Sequence, residues 1–132
     1  MNEATFIFDY FKYPVITVKF FFNGKETPYI DALLDSGGDF IVIPMPIAKY
    51  LGLKLQKAGS VDTAGGTASL YKTTLTMIMK SKEKTVTYNN IQIHVSGRND
   101  IPVLLGRQPI FEDYEITFNK QKNQLILKAI NP

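Results

Sequence analysis

The chain contains no cysteine, which removes disulfides, thiolate nucleophiles and cysteine-based metal sites together. That absence fits a reducing compartment. There is one histidine, His94, so metal clusters and Ser-His-Asp chemistry lack the partners they need. No segment approaches the roughly 20 consecutive apolar residues required to cross a bilayer, so no membrane association is expected. The opening stretch M-N-E-A-T-F-I-F-D-Y-F-K is acidic ahead of its aromatics and does not resemble a signal peptide. The expectation is a cytoplasmic protein. No internal repeat and no low-complexity linker divides the chain.

What is present is ordinary for a folded domain. The 132 residues suit one domain spanning 1–132, with room for a real core but not for two substantial lobes. Hydrophobic residues make up 45% and charged residues 20%, which excludes a disordered or fibrous chain. The net charge of +3 has its densest source in Lys80, Lys82 and Lys84, interrupted by Glu83. Such a cluster reads as a solvated turn, and no nucleic-acid partner is expected.

Short alternating runs dominate the pattern. Val15 to Phe22 places Ile16, Val18, Phe20 and Phe22 on one face and ends at Asn23-Gly24, a strand entering a hairpin turn with Tyr29 to Leu34 as the return. Phe40 to Ile43 reads as a further strand, followed by a short helix over Ile47 to Leu51 with Pro46 near its start and Gly52 past its end. Leu53 to Val61 and Thr67 to Met79 form a long hairpin around Thr63-Ala64-Gly65-Gly66. The regions Thr85 to Val95 and Ile101 to Leu105 follow as strands, and Arg107 to Tyr114 holds about two turns of helix despite Pro109. Glu115 to Phe118 and Gln124 to Ile130 make a last hairpin. Many strands and little helix predict an all-β, closed, barrel-like domain with one or two short helices.

One stretch stands apart. In L-L-D-S-G-G-D-F-I-V-I-P, Leu33 to Pro44, the ionisable Asp35 falls between two apolar strand segments. A carboxylate placed there is partly desolvated and needs a specific hydrogen bond or a shared proton. Asp, Ser and Gly are also common turn residues, so the triplet alone carries no function.

Together with Val103-Leu104-Leu105-Gly106-Arg107, however, the stretch resembles the active-site segments of aspartic proteases, particularly the single-domain retropepsin-like group. The resemblance runs in order over nearly the whole chain from about Tyr13 and implies the acid-protease fold with a β-hairpin flap. It implies an aspartic endopeptidase that hydrolyses extended peptides with no cofactor and no metal. Asp35, Ser36 and Gly37 are the implied catalytic residues: Asp35 activates water, Ser36 hydrogen-bonds to the partner loop, and Gly37 lets the backbone approach the carboxylate. Peptide hydrolysis of this type needs two close carboxylates sharing a proton. The chain has one such motif, because Val61-Asp62-Thr63-Ala64-Gly65 carries Ala where the pattern needs Gly. A homodimer then becomes a requirement of the mechanism, with a peptide or protein as substrate.

The resemblance also implies a structural ion pair between Asp39 and Arg107 that braces the loop. Gly38 departs from the usual Ala or Ser and is expected to loosen that loop. Gly38, Asp39, Ala64, Gly65, Gly66 and Leu104 are the expected substrate-binding residues, the three around Gly65 forming the flap tip. His94 reads as a structural histidine, and Asp31, Asp100 and Asp113 as solvated positions. The alternative reading is a catalytically weak or inactive domain of the same fold that serves as a peptide-binding or scaffold module.

Overall fold

The computed structural model describes residues 5–63 and 66–131. Strand β1 (Thr5–Asp9) lies in the stretch read from sequence only as a non-targeting terminus. Its Phe6 and Phe8 point inward and its Ile7 outward, the period-2 pattern of a half-buried strand. Alternation builds β2 (Val15–Phe22) in the same way: Ile16, Val18 and Phe20 are fully buried. Asn23 and Gly24, both at positive φ (50° and 85°), turn β2 into β3 (Lys25–Glu26). Two positive φ values in succession match the twist of a tight hairpin. β4 (Ile30–Leu34) then returns antiparallel to β2 and ends immediately before Asp35.

β5 (Val42–Pro44) is shorter than the Phe40 to Ile43 run suggests, and Phe40 lies outside it. The reason is local: backbone atoms of Phe40 are pressed against Gly106, which holds that part of the chain in the loop. The helix α1 (Met45–Leu51) begins two residues earlier than expected, with Pro46 in its first turn, and stops at Gly52 in the left-handed conformation. β6 (Gln56–Thr63) and β7 (Gly66–Lys80) make the long hairpin. Leu53 and Leu55 precede the strand and pack against the core from an irregular link.

β8 (Thr85–Ser96) and β9 (Val103–Leu105) follow. The expected helical stretch after Arg107 forms over residues 107–113, but irregularly. Arg107–Phe111 winds once irregularly, Gln108 is extended at φ −102° and ψ 129°, and Tyr114 already begins β10 (Tyr114–Asn119). Pro109 accounts for the break, since a residue before proline is driven out of the helical region. β11 (Gln124–Ala129) completes the chain.

The strand order β2-β4-β9-β5-β8-β7, closed by a β7–β2 pairing, makes a six-stranded barrel with β3 and β6 as extensions. A second sheet has the order β1-β11-β10. Ile41, Ile43, Met77, Met79, Ile93 and Leu105 fill the barrel, and Leu125 and Leu127 join the second sheet to the same core. Each such side chain contributes about 1.5–3 kcal/mol through burial. Among the described residues, no helix is long and apolar enough to cross a membrane.

Candidate active site

The loop after β4 is fixed from three directions. β4 and β9 run parallel with Leu33 opposite Leu104 and Leu34 opposite Leu105, so the two apolar segments that flank Asp35 and Arg107 end side by side. The Asp35 amide donates to the Leu105 carbonyl at 2.9 Å, and the Gly38 amide donates back to the Asp35 carbonyl at 3.2 Å. From the other side, the Arg107 amide donates to the Gly38 carbonyl and the Gln108 amide to the Asp39 carbonyl, both at 2.9 Å. Asp35, Gly38 and Asp39 are therefore tied to the end of β9 and the residues that follow it.

Gly106 makes this crossing possible. A Cβ on Gly106 would lie 2.4 Å from the Phe40 carbonyl oxygen and 2.9 Å from that of Gly38, distances no side chain tolerates. The Arg107 guanidinium adds a polar brace, with Nε donating to the Gly38 carbonyl at 3.3 Å and Nη2 donating to Asp39 Oδ1. The pair is exposed, so its worth lies in orientation more than in stability.

Asp35 is half-buried, and its Oδ1 accepts from the Gly37 amide at 3.1 Å. A Cβ at Gly37 would come within 3.4 Å of Oδ1, and one at Gly38 within 3.2 Å of Oδ2. Two glycines thus border both carboxylate oxygens and keep them open to approach. Gly38 is bonded on both sides: its carbonyl accepts from Arg107 and its amide donates to the Asp35 carbonyl. Ser36 and Gly37 are exposed at the turn.

Beside this loop opens a cleft of about 440 Å³. Gly37, Gly38, Asp39 and Leu104 line it, together with Phe40, Val42, Leu70, His94, Arg98 and Ile101. Gly66 opens β7 and does not line this cleft, while Ala64 and Gly65 lie outside the described residues. The long hairpin still contributes, since Leu70 of β7 forms part of the wall.

His94 occupies a different place from a merely structural histidine. On β8, Ile93 and Val95 are fully buried in the barrel, so the intervening His94 faces the opposite side. Its ring packs on Phe40 with centroids 4.6 Å apart. Burial, then the neighbouring Lys72 ammonium, lowers its pKa from the ordinary histidine value, against a weaker pull upward from Asp39. The alternation of Ile91, Ile93 and Val95 was the available signal, because it assigned His94 to the non-core face. Phe40, Leu70 and Ile101 were not legible as cleft residues, since distant segments bring them together.

Among the described residues, no group of three His, Asp or Glu side chains converges as a metal site. Asp100 is not merely solvated: it accepts from Arg98 Nε at 2.9 Å and from Arg98 Nη2 at 2.7 Å. A second cleft, of about 400 Å³, lies between β1 and the β7–β8 turn and carries Asp9, Asp31, Lys80 and Lys82, without a glycine loop.

The structure thus presents a half-buried carboxylate on a glycine loop that is locked to a Gly-Arg segment, and Gly37, Gly38 and Asp39 of that loop, though not Asp35 itself, line the cleft. Residues 16–108 match the profile of the aspartyl protease family, and the chain belongs to that family. Among solved structures it resembles a retropepsin-like aspartic protease from Rickettsia conorii, with a TM-score of 0.67 and 22% identity over 93% of this chain and 98% of that one. It also resembles the EIAV protease complexed with the inhibitor HBY-793, with a TM-score of 0.52 and 19% identity over 76% of this chain and 88% of that one. No curated protein sequence matches the chain significantly. The fold is that of the retropepsin-like proteases.

Proposed function

We propose that the protein is an aspartic endopeptidase that acts as a homodimer on extended peptides, with residues 1–132 forming one catalytic domain. The observation that carries this reading is the Asp35 loop, whose carboxylate is held by the Gly37 amide while Asp35, Gly38 and Asp39 are tied to β9 and Arg107. One chain supplies one such carboxylate. Two copies, related by a twofold axis passing between their loops, supply the pair that the reaction needs.

In the dimer one Asp35 is ionised and the other protonated, because two adjacent carboxylates do not both ionise readily. The ionised group takes a proton from water as that water attacks the peptide carbonyl, and the protonated group donates to the carbonyl oxygen. The tetrahedral species then collapses as the carboxyl that took the water proton passes it to the amide nitrogen, the other carboxylate takes back a hydroxyl proton, and the C–N bond breaks to release the acid and the amine. Ser36 and Gly37 position the carboxylates. Asp39 and Arg107 hold the loop. Gly38, Leu104 and the cleft wall receive substrate, and the β6–β7 hairpin closes over it as a flap.

The test is a mass-spectrometric survey of a diverse peptide mixture incubated from acidic to neutral pH with the native protein and with Asp35→Asn, alongside sedimentation of both. The native protein is expected to cleave and to dimerise, with Asp35→Asn slower by about 10²- to 10⁴-fold. Cleavage that survives Asp35→Asn, or turnover by a strict monomer, overturns the proposal. No cleavage by a folded, dimeric native protein favours the peptide-binding alternative.

A further inference from the structure

The cleft beside the Asp35 loop is walled chiefly by Phe40, Val42, Leu70, Ile101 and Leu104, and such a wall accepts an apolar side chain. His94 breaks that uniformity. It is held in place from the β5 side of its strand: its amide donates to the Ile41 carbonyl at 2.8 Å, its register partner on β5 is Val42, and its ring lies against Phe40. A histidine is the one side chain lining the cleft whose unperturbed titration falls between pH 5 and 8.

The charged groups around it are distributed over three elements. From β7, Lys72 is its cross-strand register partner. From the loop after β4, Asp39 accepts from Arg107. From the loop after β8, Arg98 is engaged by Asp100. β5 and β9 present Val42 and Leu104, which carry no charge. Among the described residues, Asp39 is thus paired with Arg107 and Asp100 with Arg98, which leaves Lys72 as the cation acting on His94.

We propose that His94 is a specificity-determining residue of this cleft: while neutral it admits an apolar peptide side chain against the Phe40 ring, and once protonated it selects a carboxylate side chain. This rests on the cleft being a peptide-binding site, as in the protease reading. Burial and Lys72 both favour the neutral ring, so the switch falls on the acid side of the ordinary histidine range. An imidazolium formed there has the Lys72 ammonium beside it and faces only Asp39, a carboxylate already engaged by Arg107, so it lacks a carboxylate of its own. A glutamate side chain of an extended peptide supplies one, with a charge-assisted hydrogen bond.

The experiment measures binding of matched peptides, blocked at both ends and differing only by Glu, Gln or Leu at a single position scanned along the sequence. Blocked ends ensure that a side chain is the source of any carboxylate effect. The receptor is the full chain carrying Asp35→Asn, with and without His94→Leu, and affinities are read by fluorescence anisotropy from pH 7.5 to 4.5. At one position the Glu-to-Gln affinity ratio is expected to rise about fivefold as the pH falls, and His94→Leu is expected to abolish that rise while retaining the peptide with Leu. His94→Gln, which keeps a polar side chain without the titration, is expected to behave as His94→Leu in this ratio. A ratio independent of pH, a pH dependence that survives both variants, or absence of peptide binding overturns the inference. Cleavage by the native protein is scored separately. Cleavage without the pH-dependent preference leaves the protease reading standing, and the preference without cleavage leaves this one standing.

Discussion

A methyl group placed on Gly106 would lie 2.4 Å from the carbonyl oxygen of Phe40 and 2.7 Å from its amide nitrogen. Neither atom belongs to a flexible side chain, so the strain has no cheap relief. Gly106→Ala is expected to destabilise the fold by about 3 kcal/mol or more, through displacement of the Asp35 loop or of β9. Gly24→Ala is the control: its φ of 85° is unfavourable, but nothing lies within 4 Å. Its cost is expected near 1 kcal/mol. Urea denaturation of the two variants checks the order, and equal losses would show that crowding is not what glycine relieves at 106.

Arg107 engages Asp39 and the Gly38 carbonyl with different nitrogens. A lysine has one charged head and does not reproduce both contacts. Because the two side chains are 54% and 66% exposed, Arg107→Lys is expected to cost less than about 1 kcal/mol of stability. Peptide cleavage is expected to fall about tenfold, since loop alignment and not stability is what the brace supplies. Thermal melting and kcat/KM on one peptide separate these effects.

The lowered pKa of His94 ties acid stability to the cleft. Below pH 6.5 the unfolded chain takes up a proton that the folded chain resists. The stabilisation from a neutral His94 is therefore complete above that value and is lost as pH falls through the folded pKa. His94→Gln removes this contribution, so its denaturation midpoint is expected to vary less between pH 7 and 5 than that of the native protein. An unchanged slope would place the acid sensitivity in the carboxylates instead.

Burial is the first cause that raises the phenol pKa values of Tyr88 and Tyr114, and the neighbouring Asp113 adds to both. The sign is opposite to that of His94. Stability is fully present below pH 10 and declines above it, as the unfolded chain releases phenolic protons that the folded chain retains. Alkaline unfolding followed by tyrosine absorbance is expected to show these two groups ionising only with loss of structure.

Much of the molecule was legible along the chain because its signals are local. The period-2 alternation in β2 and β8, the Asn23-Gly24 turn and the Pro46/Gly52 punctuation each depend on neighbours within a few residues. β1 was missed because five residues next to a terminus carry too little pattern until β11 pairs with them. The helical stretch expected after Arg107 is present, but Pro109 breaks it at Gln108 and the start of β10 ends it at Tyr114.

The sequence by itself determined that a lone Asp-Ser-Gly loop would follow a Leu-Leu strand, and that a Gly-Arg segment of matching character would lie far downstream. Only the tertiary structure decided what these do to one another. Parallel pairing of β4 with β9 brings Asp35 to Leu105 and Arg107 to Gly38, although some 70 residues separate them. It also decided that His94 and Phe40 share a wall, and that a glycine at 38 borders a carboxylate oxygen. The physical reason is that periodicity reports which face of a strand a residue occupies, while the identity of what lies across that face is set by sheet order and packing.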